Sequence, residues 1–375
     1  MSESRTIISR DNAKPPFFVG IDLGGQSIKI GIVDDNAQTI DYTTVDTFPK
    51  DKNGNLIPVK DPAADAMKRT SDAIYSGLRR AGLHSSDVVR VGLVTPGTQD
   101  IPAGKLVDPA NLPGWENFCI RDELSECSKF PVSYDNDANA AAFGERWMGS
   151  GKGYDNMILL TLGTGLGCGI IINGNTYIGQ NSHGGECGHN IVDPSDNARI
   201  CNCGQRGHLE AYASATGLAR RIYECLLTKI STSLKDSFKK RYGKEDKNFN
   251  VNTFIENMDA ETKAHLPKML YEEALTGDAF SIEMIEATAK WLGIGIVTLM
   301  HTLDPHCVLI GGAMTFGGKG DRIGEMFLQR VRKEINARAY KILSDRLVLE
   351  FASLGGDAGY LGAAGVARSD YKHGN

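Results

Sequence analysis

The chain alternates short apolar runs, rich in β-branched residues, with longer stretches of helical period, an order that predicts an α/β protein. Phe17 to Val33 reads as a hairpin. Phe18-Val19-Gly20-Ile21 leads into the turn Asp22-Leu23-Gly24-Gly25-Gln26-Ser27, and Ile28-Lys29-Ile30-Gly31-Ile32-Val33 leaves it. Met157 to Ile172 repeats the design: Ile158-Leu159-Leu160 enters Thr161-Leu162-Gly163-Thr164-Gly165-Leu166-Gly167, and Gly169-Ile170-Ile171-Ile172 follows. Glycines at these places imply a positive φ or a close approach to something. A turn without side chains presents backbone N–H groups that can cradle a phosphate chain. One such turn is commonly only a turn. Two of one design, in different halves of the chain, point to two related domains acting on one polyphosphate.

Pro62 to Gly82 is a predicted helix with Asp61 as its N-cap and an apolar face of Ala63, Ala64, Met67, Ile74 and Leu78. Val88 to Val94 is a buried strand ending at Thr95-Pro96-Gly97, and Phe130 to Tyr134 is another, followed by a helix over Ala138 to Met148. Ser281 to Leu303 is a long helix stopped at Asp304-Pro305, before a strand over Cys307 to Ile310 and a third glycine turn, Gly311-Gly312-Ala313. Ligands bind at glycine turns that end such strands. Lys229 to Leu270 is lysine-rich and weakly periodic. It reads as a helical insertion with a solvated charged face and is assigned no function. Met1 to Pro16 is polar and charged, which predicts a disordered lead-in.

The 375 residues suffice for two domains. A net charge of -5 argues against a surface built for nucleic acid. No run approaches the roughly 20 apolar residues of a membrane helix, and the N-terminus lacks a secretory core. Eight cysteines are too sparse for a disulfide scaffold. A protein of the reducing cytoplasm, with no membrane or nucleic-acid partner, is expected.

Taken in order, the motifs resemble the ROK family (repressor, open reading frame, kinase) of the actin-like sugar kinases, from Asp22 to about Gly365, and most resemble its glucokinases. Asp22-Leu23-Gly24-Gly25 with Lys29 looks like the family's first phosphate hairpin and Leu162 to Gly167 like its second. Thr95-Pro96-Gly97 and Asn111-Leu112-Pro113-Gly114-Trp115 look like sugar-side loops. Asp135-Asn136-Asp137-Ala138-Asn139-Ala140-Ala141 is similar to the catalytic segment, and Gly185-Glu186-Cys187-Gly188-His189 to the sugar and metal segment. Cys201-Asn202-Cys203-Gly204 begins a cysteine motif, and Leu354 to Gly359 closes the set. Three features depart from the pattern. Gln26 replaces a usual threonine, His208 stands where a further cysteine is usual, and the 229–270 segment is longer than usual.

The resemblance implies two actin-like (ribonuclease H-like) α/β domains with a cleft between them. The first would comprise residues 17–140 with about 358–375, and the second 141–357. It implies an ATP-dependent glucokinase of glycolysis that makes glucose 6-phosphate, with Mg²⁺ on the nucleotide, a structural zinc and a homodimer. Asp137, between a strand and a helix N-terminus, suits the general base that takes the proton of the acceptor hydroxyl; the bland alternative is a helix cap. Asp22 suits nucleotide-bound Mg²⁺ through water, or else a turn-stabilising role. Lys29 faces either phosphate or solvent. Nucleotide contacts are expected from Asp22, Gly24, Gly25, Gln26, Lys29, Gly163, Thr164, Gly165, Gly312 and Ala313.

Sugar hydroxyls require a fence of polar groups, and the resemblance assigns it to Asn111, Asn136, Asp137, Glu186, His189 and Glu210. For Asn111 the alternative is ordinary turn chemistry, and for Glu210 a carboxylate favoured at a helix N-terminus. His189, Cys201, Cys203 and His208 supply a Cys₂His₂ zinc set, with a reduced thiol pair beside a polar loop as the alternative. Another hexose or an N-acylated amino sugar is the competing substrate. A sugar-responsive regulator is the competing class, but the roughly sixteen residues ahead of the first strand are too few for a helix-turn-helix module.

Overall fold

The computed structural model describes residues 5–109, 112–228, 230–243 and 250–374. The chain divides into two compact units, one made of the residues up to 159 with 169–185 and 352–375, the other of 160–168 with 186–351.

The first sheet contains β1 (Phe17–Leu23), β2 (Ser27–Val33), β3 (Thr39–Asp46), β4 (Val88–Thr95) and β7 (Val132–Asn136), in the order β3-β2-β1-β4-β7. Strand β2 is antiparallel to β1 and β3, whereas β4 is parallel to both β1 and β7. A small ribbon of β5 (Thr98–Asp100) and β6 (Lys105–Asp108) follows β4. The second sheet repeats the strand order: β8 (Met157–Leu162), β9 (Leu166–Ile172), β10 (Asn175–Thr176), β11 (Cys307–Gly311) and β12 (Val348–Phe351) run β10-β9-β8-β11-β12. The internal echo of the two hairpins is therefore an echo of whole sheets. Each hairpin supplies the central strand of its sheet and the neighbour on one side.

One face of the first sheet buries Val19, Ile21, Leu23 and Ile30 with Met67, Ile74 and Leu78 of α1 (Pro62–Ala81) and with Ile120 and Leu124 of α2 (Ile120–Ser128). The N-cap of α1 is Asp61, whose side chain accepts from the Ala64 amide. The other face carries α12 (Ala358–His373), which also packs on α3 (Asp137–Met148). A row of three glycines makes this possible. Gly20 pairs with Gly31 on one side and Gly92 on the other. A Cβ on Gly20 or Gly92 would run into the carbonyl of Tyr360 or Ala363, so the helix backbone lies directly on the sheet.

The second unit adds α4 (Glu210–Ala213), α5 (Ala215–Leu226), α6 (Leu234–Tyr242), α7 (Val251–Glu256), α8 (Ala260–Thr276), α9 (Ala279–Leu303), α10 (Arg322–Arg338) and α11 (Lys341–Arg346). Helices α6 to α8 are what the lysine-rich segment forms; Lys229 and residues 244–249 of it lie outside the described residues. No helix among the described residues is long and apolar enough to cross a membrane.

Two expectations need correction. Residues 5–16 are not a disordered lead-in. The Ile8 amide donates to the Thr39 carbonyl at 2.9 Å, and Arg5 pairs with Asp357 while lying 3.3 Å over the Tyr42 ring. Polar composition concealed these anchors because they are a bridge to β3 and a single cation. The break between units also falls at 159, not at 140, and the return at 352, not at 358. Helix α3 stays with the first unit because its buried Glu145 accepts from the amides of Ser150, Ser353 and Leu354.

Candidate active site

The segment Asp135 to Ala141 sits where β7 ends and α3 begins. Asn136 is the N-cap, its side-chain oxygen accepting from the amides of Ala138 (2.8 Å) and Asn139 (3.4 Å). Asp137 is the first helical residue and accepts from the Ala138 amide at 2.8 Å. Asn136 thus shares the capping duty considered for Asp137, and Asp137 stands at a helix N-terminus, which favours negative charge. Two residues before Asp137, buried Asp135 accepts from the Asn136 amide at 2.7 Å and from the Asn139 side chain at 2.9 Å. Burial, with a smaller contribution from Asp370, pushes its carboxyl up to about 6.

The first glycine turn is closed by the Gly24 amide donating to Ser27 at 3.0 Å. Buried Thr47, just past β3, holds it from outside: its hydroxyl donates to the Gly24 carbonyl at 2.6 Å and its amide to Gln26 at 3.1 Å. Lys29 stands opposite Asp22 in the β-ladder, and its ammonium reaches Asp22 at 3.1 Å and the Gly356 carbonyl at 3.2 Å. Lys29 therefore faces the turn. Gly25 is half-buried and Gln26 exposed.

The second turn has other supports. Glu210, the first residue of α4, accepts from the Leu166 amide at 3.0 Å. Ala215 donates its amide to the Gly163 carbonyl at 2.9 Å, and the Thr216 hydroxyl donates to Thr164 at 2.7 Å. Gly165 is a close approach, since a Cβ there would lie 2.6 Å from the Glu210 carboxylate, while a Cβ on Gly163 would meet open space. The third turn is strained in the way only glycine accepts: Gly312 has a φ of 90° and lies against the Leu162 backbone. Gly312 and Ala313 are exposed at the end of β11. Beside Thr164 opens a cavity of about 400 Å³ lined by Ala215, Thr216, Ala219, Arg220, Tyr223, Lys263 and Ala264. The Lys263 ammonium stands 3.9 Å from the Tyr223 ring centroid.

His189, Cys201, Cys203 and His208 converge, with one donor atom from each lying within 4.8 Å of all the others. His189 Nδ1 is 3.1 Å from His208 Nδ1 and 3.9 Å from Cys201 Sγ, and Cys203 Sγ is 3.2 Å from His208 Nδ1. Burial pushes the Cys201 thiol up to about 11 and lowers His208. His189 follows Glu186 in a single 3₁₀ turn, Cys187–His189, so that its Nε2 stands 3.8 Å from the Glu186 carboxylate while Nδ1 points into the cluster. Glu210 reaches the same cluster, accepting from Cys201 Sγ at 3.6 Å.

Within the second unit, then, Glu186, His189 and Glu210 gather around one Cys/His cluster. In the first, Asn136 and Asp137 share one turn, and Asp22 and Lys29 share another. Asn111 lies outside the described residues. The residues that sequence reasoning missed are Thr47, Asp135, Asn139, Arg220, Tyr223 and Lys263. Asp135 and Asn139 lie within the quoted motif and could have been found by asking what holds its turn. Tyr223 and Lys263 sit on helices without any local signal.

The chain matches the ROK family over residues 18–370. It is 33% identical over 354 residues to a glucokinase of Halalkalibacterium halodurans, covering 94% of this chain and 95% of that protein. It is 27% identical over 366 residues to a xylose repressor of Caldicellulosiruptor bescii, covering 98% and 82%. The crystal structure of a ROK hexokinase from Thermus thermophilus superposes with a TM-score of 0.72 at 27% identity, over 95% of this chain and 99% of that one. The two sheets of like strand order are the α/β architecture expected of actin-like ATPases, and the chain belongs to the ROK family.

Proposed function

We propose that the protein is an ATP-dependent hexose kinase whose substrate is glucose: ATP and glucose give ADP, glucose 6-phosphate and a proton. The observation that carries this reading is the start of α3, where Asn136 caps the helix and Asp137 stands next to it as the first helical residue, at the helix N-terminus. In a phosphoryl transfer, positioning and electrostatics supply most of the rate. Asp137 takes the proton of the attacking 6-hydroxyl, and the helix N-terminus stabilises its charge beforehand. Kinship with a glucokinase and a hexokinase supports the substrate class.

Backbone amides of the glycine turns hold the phosphates: the protein engages the carbonyls of Gly24, Gln26, Gly163 and Thr164 and uses the amides of Gly24, Gly163 and Leu166 internally, so the phosphate contacts fall to Gly25 and Gln26 in the first turn and to Thr164 and Gly165 in the second. Lys29 is a fixed cation at the first turn and Asp22 its carboxylate. Mg²⁺, when bound with the nucleotide, neutralises phosphate charge, and a single carboxylate such as Asp22 fits an ion that keeps most of its water. Gly312 and Ala313 border the second turn, and the adenine occupies the cavity beside Thr164, with Tyr223, Arg220 and Lys263 around it.

Zinc suits the Cys/His cluster. Ligand bonds of about 2.0 Å to nitrogen and 2.3 Å to sulfur set tetrahedral donors roughly 3.3–3.8 Å apart, near the spacings of 3.1, 3.2 and 3.9 Å found. His189 would bind through Nδ1, leaving Nε2 for a sugar hydroxyl alongside Glu186, so that the ion's part is structural.

The test is a coupled ADP-release assay with Mg-ATP across glucose, fructose, mannose, galactose, glucosamine, N-acetylglucosamine and N-acetylmannosamine. Glucose should lead, and Asp137→Ala should lose at least about 10³-fold in kcat while staying folded. Turnover confined to another sugar removes glucose from the proposal. Sugar binding without turnover on the whole panel would make the protein a regulator on a kinase frame.

A further inference from the structure

Asp135 is a buried carboxylate that the mechanism above does not use, and its surroundings say what it is for. It accepts from the Asn136 amide and the Asn139 side chain, while Asn136 in turn caps the helix through the amides of Ala138 and Asn139. Asn139, itself 3% exposed, is thus gripped at both its backbone and its side chain. These bonds enclose Asp137 between Asn136 and Asn139, the two residues that Asp135 holds. Resting on the assignment of Asp137 as the base, we propose that Asp135 is a positioning residue that, through Asn139 and the Asn136 amide, locks the turn presenting Asp137 to the acceptor hydroxyl.

The cost of this arrangement argues for function. Asp135 borders a cavity of about 520 Å³, where the charged groups around it are Asp370 on α12, Arg90 on β4 and Arg121 on α2, with the Tyr134 phenol on its own strand. Arg121 is already committed to Asp122 and to the carbonyls of Pro102 and Ala103, and Asp370 opposes a second negative charge. Burial moves the Asp135 acid from 3.8 to about 6, so the folded protein holds that proton more tightly than the unfolded chain does. Stability therefore falls as pH rises between those two values, and the ionised side chain is destabilising above them. A carboxylate kept where its charge weakens the fold, yet bonded twice to the catalytic turn, is placed for geometry, because charge-assisted hydrogen bonds hold a turn more tightly than neutral ones.

The experiment is steady-state kinetics from pH 5 to 8.5 on Asp135→Asn, Asn139→Ala, the double variant and Asp137→Ala, with thermal melts. Asp135→Asn keeps acceptors for both bonds but not the charge. It should melt at or above the wild-type temperature at pH 8, with kcat lowered about tenfold and both KM values within about twofold. The acid limb of the wild-type profile should carry a step near pH 6 that Asp135→Asn loses. Asn139→Ala should reproduce the fall in kcat, and the double variant should add little to it. Wild-type kcat and an unchanged pH profile in Asp135→Asn would overturn the proposal, as would losses confined to KM. An active Asp137→Ala would instead remove the base on which the inference rests.

Discussion

The two glycine turns look alike in sequence and are held differently. The turn at 24–26 is held from outside by Thr47, about twenty positions on and just past β3 of the same sheet. The turn at 163–167 is secured from about fifty positions away, by Glu210, Ala215 and Thr216 at the starts of two helices. Glu210 also touches Cys201, so the second turn is tied to the Cys/His cluster. A glycine turn of this kind is therefore a backbone shape that different neighbours can enforce. The second turn's support, Glu210, also reaches a Cys/His cluster, whereas Thr47 holds the first turn through backbone groups.

The largest break in this comparison is Glu210→Ala. It strips the Leu166 amide of its acceptor, leaves Cys201 without that carboxylate and removes a proposed sugar contact, so kcat/KM should fall by about 100-fold or more. Initial-rate kinetics with each substrate varied in turn would measure it, and a loss under tenfold would deny Glu210 its double duty. Next comes extraction of metal from protein purified without chelator. Dialysis against a strong chelator should lower the melting temperature by several degrees, because ligand binding is folding free energy. Elemental analysis well below one zinc per chain beforehand would remove zinc from the account. Smaller again is Gly165→Ala, whose Cβ meets Glu210 and should cost about 1–3 kcal/mol, against almost nothing for Gly163→Ala, which opens on empty space. Equal melting temperatures would show that Glu210 moves aside freely. Smallest is Thr47→Val, an isosteric loss of one hydroxyl that should cost about 1 kcal/mol by thermal melt and leave the sugar KM unchanged.

Helix α3 shows how far sequence reading reaches. The Asp135 to Ala141 motif marked the right turn. It could not say which of Asn136 and Asp137 was the cap, since both residue types serve equally well. Only the structure gives the cap to Asn136. The strand expected over Phe130 to Tyr134 likewise runs from Val132 to Asn136 in the structure, because apolar runs mark burial better than they mark hydrogen-bonded ends. Arg5 and Ile8 belong to the fold although their segment looks disordered: one cation over a ring and one bridge leave no periodic trace.

The sequence by itself determined the α/β class, the two hairpins, the ordered ROK motifs and the ligand types of the Cys/His cluster. These follow from local rules: period, turn chemistry and the residues a motif contains. The tertiary structure alone decided that Glu210 joins a glycine turn to that cluster, that Lys263 of an unassigned insertion reaches a cavity beside Thr164, and that a glycine row seats α12 on the first sheet. Each depends on groups far apart in the chain meeting within a few ångströms. That proximity is set by the packing of whole elements, and no local pattern encodes it.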